Sequence, residues 1–344
     1  MSAADGPWRR RNLAASLALG ALLAVAGSVL VAFLAGRSHV RAGLAHADWV
    51  WLVAAPVSVL ASHAGYVLSY RAVSRVDGGL ELPAEEAAAM VTTGFGPLSH
   101  RSGFALDATV FRNFGLSRRQ AALRVRALGL LEYAVLAPVT FGAALYMLVG
   151  GRPAEAGVLP SWVIGVPAGT VLGVVLLHLY RRAGRPKTWW SHLRQALDSM
   201  EETLKILASW PENLMAVVGM AIYWAADIGA LAACAVVFTH RHSVGLELLV
   251  GYASGYALTR RSLPLAGAGI VEALLPFALH WVGYPLPTAV LSVVTYRVFN
   301  LWLAILPAVA GVRRLRALKP VWPRTRRVAA RSWQSNFKAR GSPS

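Results

Sequence analysis

Four polar residues stand inside stretches that otherwise read as hydrocarbon: Asp227, Glu272, Arg297 and Asn300. An ionisable group near the centre of a bilayer costs roughly 2.5–3.5 kcal/mol on insertion scales, so each such residue calls for a reason. Asp227 falls at the middle of Leu214–Phe238, and Asn300 lies one turn along from Arg297. Glu272 and Arg297 come from neighbouring segments, and together they could line a polar cavity for an anionic group. Arginine suits that task because its planar fork matches carboxylate and phosphate oxygens two at a time. The same two residues could equally form a permanent ion pair that pins one segment to the next. Asp107 and Arg101 are the corresponding candidates in the first half of the chain.

Other polar sets carry weaker signals. Ser58, Ser62, Tyr66 and Ser69 form one stripe with His63 beside it, which reads first as interhelical hydrogen bonding and second as a substrate path. Glu132 is expected to pair with Arg124 or Arg126, with a proton relay as the rival reading. His240, Arg241 and His242 lack metal-ligand spacing. Tyr252-Ala-Ser-Gly255 resembles the Gly-x-Ser-Gly of rhomboid proteases, but Tyr252 replaces the first glycine and only His280 offers itself as a base. No P-loop and no His-Glu-x-x-His run is present, so neither a cofactor nor an enzyme activity is expected.

The elements that hold these residues follow from composition. Hydrophobic residues make up 56% of 344 positions, charged residues 15%, and mean hydropathy is +0.50. A soluble domain carries roughly 25% charged residues, so an all-α, polytopic membrane bundle is expected. A span needs about 20 apolar residues. Leu13–Ala35, Trp49–Tyr70, Ala127–Val149, Val158–Tyr180, Leu214–Phe238 and Thr288–Ala310 meet that length, with Val244–Leu258 and Leu263–Trp281 as shorter candidates, giving about eight crossings. The stretch 87–114 holds Pro97, Gly103, Asp107 and Arg112 and reads as a re-entrant piece. Gly165, Gly169 and Gly173, like Gly251 and Gly255, are spaced for close helix approach.

Charge sets the orientation. Net charge is +18, and Gly311 to Ser344 holds ten Lys/Arg and no acid. Basic clusters beside apolar runs fit the positive-inside bias and anionic lipid better than nucleic acid. Both termini are therefore expected on the cytoplasmic side of a bacterial-type inner membrane, with Arg260 and Arg261 marking a cytoplasmic edge and residues 313–344 a disordered basic tail. Residues 186–213 carry one apolar stripe with Arg194/Asp198 and Glu201/Lys205 as i,i+4 pairs, as in a helix lying on the membrane surface between the halves 13–180 and 214–310.

The two halves share an echo. Pro97-Leu98, Gly103, Asp107, Gly115 and Ala121 are answered by Pro264-Leu265, Gly267, Gly269, Glu272, Gly283 and Ala289. The charge count makes these halves parallel. Leu263-Pro-Leu-Ala-Gly-Ala-Gly-Ile-Val-Glu272, Gly283-Tyr-Pro-Leu-Pro-Thr-Ala289 and Thr295-Tyr-Arg-Val-Phe-Asn300 resemble the C-terminal signature of the lysylphosphatidylglycerol synthase transmembrane (flippase-like) family. Its proline falls on Pro264, its glycines on Gly267 and Gly269, its acid on Glu272 and its arginine on Arg297. Ser102-Gly103 and Phe114-Gly-Leu-Ser117 are similar to its first-half motif. Ala266 stands where the family often has glycine, and Asp107 where relatives tend to have arginine. The resemblance implies a membrane region that handles lipid or lipid-linked headgroups, without the soluble synthase domain across residues 1–312. Membrane lipids with anionic headgroups are the implied partners. The alternative is a non-transporting accessory protein that anchors an envelope-lipid or glycan enzyme through the 186–213 helix and the tail.

Overall fold

The computed structural model describes residues 10–182, 213–239, 245–256 and 263–317, apart from short breaks at 46, 77–78, 99–102, 153 and 155–156, together with 201 and 204–205. Among them every element is helical. The expectations for Arg101, Arg260, Arg261, 240–242, residues 318–344 of the tail and most of 186–213 fall outside the described residues; Glu201 and Lys205 do form their ion pair, at 3.0 Å.

Among the described residues seven segments are long and apolar enough to cross a membrane: Leu13–Ala35, Trp49–Arg75, Arg118–Val149, Val158–Tyr180, Leu214–Thr239, Pro264–Trp281 and Leu286–Leu315, of which Pro264–Trp281 reaches that length only by joining a 3-10 turn to a 12-residue helix. Their outer faces are apolar and uncovered, with Leu22 66%, Phe33 64% and Ile164 67% exposed. Water would not tolerate that much exposed hydrocarbon on one molecule, whereas lipid does. The chain is a multi-pass helical membrane protein.

Helix α1 spans Arg10–Ala35, and the short α2 (Arg37–Ala45) follows the turn at Gly36. Asp48 caps a 3-10 turn, Trp49–Val53, that leads into α3 (Ala54–Arg75). Then come α4 (Ala84–Phe95), α5 (Gly103–Asn113), α6 (Arg118–Val149) and α7 (Val158–Arg182). The second part holds α8 (Leu214–Thr239), α9 (Leu246–Gly255), α10 (Ile270–Trp281), α11 (Leu286–Arg297) and α12 (Ile305–Ala317). Helix α6 starts on a capping box, in which the Gln120 amide donates to Ser117 Oγ (3.2 Å) and the Ser117 amide to Gln120 Oε1 (3.1 Å).

The centre of the bundle is the crossing of α3 and α8. The Asp48 amide donates to the Val237 carbonyl (3.0 Å), Gly65 meets Gly219, and Ser69 Oγ donates to the Ala216 carbonyl (2.8 Å). Rising numbers on α3 meet falling numbers on α8, so the two are antiparallel throughout. Around them stand two pairs of short helices. Leu82, just before α4, accepts from Arg71 Nε (3.2 Å), and Arg124 near the start of α6 donates to the Ser74 (3.3 Å) and Val76 (2.9 Å) carbonyls. The open ends of α4 and α5 therefore lie at the C-terminal end of α3. In the second pair Gly251 packs on Leu279 and Val282, and Gly255 on Leu275 and Ala278. Helices α9 and α10 are thus an antiparallel hairpin. Its open end lies beside the α6–α7 turn, where Arg152 Nη1 meets Glu247 Oε1 at 2.6 Å. That bond, and the charge behind it, raise the Arg152 pKa above its ordinary value.

Two expectations are corrected here. Within 244–258 the described residues hold only α9, whose 10 residues are half of what a bilayer requires. Helices α3 and α8, each of which leads into a pair of short helices, run in opposite directions, whereas the charge count led to parallel halves. Lys/Arg counting could not detect this, because replacing two crossings by one hairpin leaves the side of every later loop unchanged. The glycine expectations divide. Gly251 and Gly255 permit close contact, whereas nothing among the described residues comes within 4 Å of a methyl group built on Gly165 or Gly169.

Arg314 of α12 bridges to Glu85 and to Glu86 (3.0 Å) at the start of α4. The arginine is 46% exposed, and exposed ion pairs contribute about 1 kcal/mol or less. Arg314→Ala should therefore shift detergent-solubilised unfolding by no more than about that amount.

Candidate functional site

The chain breaks twice at the site. After Leu263 a 3-10 turn, Pro264–Gly267, runs through left-handed backbone at Leu265 (φ 55°), Ala266 (φ 54°), Gly267 (φ 67°) and Gly269 (φ 86°). Left-handed conformation disfavours side-chain-bearing residues by about 1–2 kcal/mol each, so Leu265 and Ala266 need something to hold them there. Arg297 Nη2 does part of this, donating to the Ala266 carbonyl at 3.3 Å. The second break is a π turn at Val298–Trp302, directly after Arg297, closed by the Leu303 amide on the Val298 carbonyl (2.9 Å).

Between these breaks lies the ion pair. Arg297 Nε donates to Glu272 Oε1 at 2.6 Å, with the two side chains 2% and 1% exposed. The second oxygen, Glu272 Oε2, accepts from the Gly269 amide at 2.7 Å, capping α10. Arg297 Nη1 is buried and has no hydrogen-bond partner among the described residues. A guanidinium carries five N–H donors, so this nitrogen has hydrogen-bonding capacity that no described protein group takes up.

One turn deeper is a second buried network. Asp227 accepts from the Tyr252 hydroxyl, the Tyr296 hydroxyl (2.8 Å) and Asn300 Nδ2 (2.9 Å), and the Tyr256 hydroxyl donates to Asn300 Oδ1 (3.0 Å). The structure thus brings together Asp227, Glu272, Arg297 and Asn300, with Pro264, Gly267 and Gly269 forming the adjacent turn. Asp107 is buried on α5, in the other hairpin, and α5 packs chiefly on α4 and α6. Asp227→Ala would take the acceptor from two tyrosine hydroxyls and one of two acceptors from the Asn300 amide, which keeps the Tyr296 oxygen at 2.8 Å. At about 1–3 kcal/mol per buried unsatisfied group, a loss of about 3 kcal/mol or more is expected in denaturant titration, and less for Asp227→Asn, whose amide oxygen still accepts.

Glu132 takes its bond from the Tyr66 hydroxyl, and the Trp224 indole donates to the Glu132 carbonyl (2.9 Å). Of the two arginines expected beside it, Arg124 donates to the Ser74 and Val76 carbonyls at the end of α3, and Arg126 is exposed. Of the serine stripe, Ser62 bonds within its own helix (2.8 Å to the Val59 carbonyl) while Ser69 bridges to α8. Ser254 accepts from Trp162 Nε1 (2.8 Å) and donates to the Val250 carbonyl (2.7 Å), and His280 Nδ1 is 2.9 Å from the Tyr284 carbonyl.

Sequence reasoning missed Tyr252, Tyr256 and Tyr296, whose hydroxyls make the network, and the α1 glycines. A methyl on Gly27 would lie 2.7 Å from the Gly269 carbonyl and 3.3 Å from Glu272 Cβ. The available signal was spacing, since Gly20 and Gly27 are seven apart and share one helix face.

The internal echo also takes a different register. Gly115 (φ 95°) and Gly283 (φ 101°) each precede a helix start by three residues. Superposing them sets Ala121 on Ala289, Glu132 on Asn300, Gly129 on Arg297 and Phe104, not Asp107, on Glu272. The Phe104 ring lies 3.5 Å from a methyl built on Gly129. Where one hairpin carries an ion pair, the other carries a ring on a glycine. Protein-family models and curated proteins were both compared with the chain, and neither comparison finds a match.

Proposed function

We propose that this is a bacterial inner-membrane protein, with both termini cytoplasmic, that binds and translocates a lipid or lipid-linked headgroup carrying an anionic oxygen. The observation that carries the reading is the Arg297 guanidinium, 2% exposed within an apolar bundle, with Nη1 unpartnered among the described residues. Keeping a cation there is costly, and the Glu272 pin gives no use to the two N–H groups of Nη1. Broken helices support the same reading. The N-terminus of α10, where Glu272 Oε2 caps the Gly269 amide, lies beside the guanidinium, and transporters use such helix ends for anionic groups. Helices α3–α6 and α8–α12 repeat the order long, short, short, long, which fits a duplicated half. The basic tail would hold the cytoplasmic leaflet's anionic lipid.

The test is headgroup exchange of fluorescent phospholipids in proteoliposomes, wild type against Arg297→Lys. Lysine keeps the charge and loses the fork. A drop of about tenfold or more, equivalent to about 1.4 kcal/mol at the barrier, is expected in a variant that elutes as a folded species. Exchange at the wild-type rate in Arg297→Lys would remove the guanidinium from the mechanism. A wild type that moves no lipid would turn the reading towards the accessory protein.

A further inference from the structure

The two hairpins enter the bundle from opposite ends. The open end of α4–α5 lies with the C-terminus of α3 and with Arg314 of α12, whereas that of α9–α10 lies with the α6–α7 turn. Each short helix has 10–12 residues, half the length of a span, so the tips fall within the apolar layer. Both tips rest on one helix. A methyl group on Gly20 of α1 would lie 3.3 Å from Pro97 Cβ and 3.9 Å from Leu265 Cβ, and Gly27 seats Gly269 one step further on. Ala24, between the two glycines, packs with Leu265, Ala266, Ala268 and Leu301. Elsewhere α1 is largely uncovered, with only 17% of its apolar window buried. It is held along one stripe, with Leu13 and Leu17 on Leu98, Ala308 and Val312, Gly20 and Ala24 on the two tips, and Gly27 on Gly269, and behind that stripe stand Ala266, Glu272 and Arg297.

We infer that the Arg297–Glu272 site is served from the two membrane faces by two opposed re-entrant hairpins, and that α1 is the strap closing the seam where their tips meet. Lifting α1 uncovers the strained turn and the guanidinium to the bilayer interior. The Phe104–Gly129 contact makes the first hairpin an apolar stop, so a single polar site is approached from both sides. This inference rests on the proposed headgroup reading for its cargo, but its geometry is testable without transport.

In a Cys234→Ala background, Asn113→Cys near the open end of the first hairpin and His280→Cys near that of the second should react with a membrane-impermeant maleimide from opposite faces of sealed vesicles. A preference of at least about tenfold for each side is expected. Labelling of both from one face overturns the opposed hairpins. For the strap, Gly20→Cys/Leu265→Cys places the Cβ atoms 3.9 Å apart, inside the disulfide range. The oxidised form should exchange lipid about tenfold or more slowly and recover on reduction. Failure to cross-link, or an undiminished rate in fully cross-linked protein, overturns the strap. If the wild type exchanges no lipid, the headgroup reading fails and the strap is read by N-ethylmaleimide modification of Leu301→Cys, which lies buried behind α1. The Gly20–Leu265 cross-link should slow that modification about tenfold or more, by peptide mass, and equal rates overturn it.

Discussion

Arg297→Met should lower the unfolding free energy by about 3–5 kcal/mol in detergent, because it leaves the Glu272 carboxylate buried without its counter-ion. The cost follows from what each atom loses. Glu272 Oε1 gives up a 2.6 Å charged bond, and the Ala266 carbonyl loses its donor in a turn that already holds two non-glycine residues at positive φ. Glu272 retains only the Gly269 amide. The double variant Glu272→Gln/Arg297→Gln separates the two roles this pair could have. It removes both charges while keeping an acceptor for Gly269, and replacing a buried pair by a neutral one is often close to neutral for stability. Unfolding should therefore return to within about 1 kcal/mol of wild type, and lipid exchange should stay lost. Recovery of both stability and exchange would mean that the pair only pins α11 to the broken turn, and the headgroup proposal would have to be abandoned.

What could be read in advance divides along physical lines. Lipid-solvated helices must be uninterrupted and apolar, so the long spans, including Leu13–Ala35 and Val158–Tyr180, announce themselves in composition alone. Charges are costly in that setting, which is why Asp227, Glu272 and Arg297 stood out before any contact was known. The direction of the second hairpin was not legible. Loop charges report only the parity of crossings, and a hairpin that returns to its own side has the parity of two spans. The tyrosines were hidden for another reason. Tyr252 and Tyr296 are as much at home in an apolar helix as phenylalanine, and only the approach of α9 and α11 to Asp227 shows that their hydroxyls matter. The Tyr66 bond to Glu132 was equally hidden, because 66 residues separate the two in sequence.

Gly219→Ala should be among the most damaging single methyl groups in the bundle. Its Cβ would stand 2.5 Å from the Gly65 carbonyl oxygen and 2.8 Å from both the Ser69 amide and Ser69 Oγ. The reciprocal change is no easier, for a Cβ on Gly65 would meet the Gly219 carbonyl and the Tyr223 amide at 2.6 Å each. These obstacles are backbone, so no rotamer change can relieve them, and α3 and α8 must separate along their length. Separation breaks the Ser69–Ala216 bond and opens the packing of Tyr66 on Tyr223, whose ring centroids are 5.0 Å apart. Overpacking typically costs about 1–3 kcal/mol and occasionally more; with a buried bond lost as well, about 3 kcal/mol or above is expected for Gly219→Ala. Gly142→Ala supplies the opposite sign. It lies mid-helix in α6 with nothing within 4 Å of the new methyl, so better helix propensity should leave the protein unchanged or more stable by up to about 1 kcal/mol. Unfolding of the two variants in one detergent series reads both. A Gly219→Ala protein as stable as Gly142→Ala would show that α3 and α8 do not touch at this crossing, and the antiparallel arrangement that turns the second half over would lose its centre.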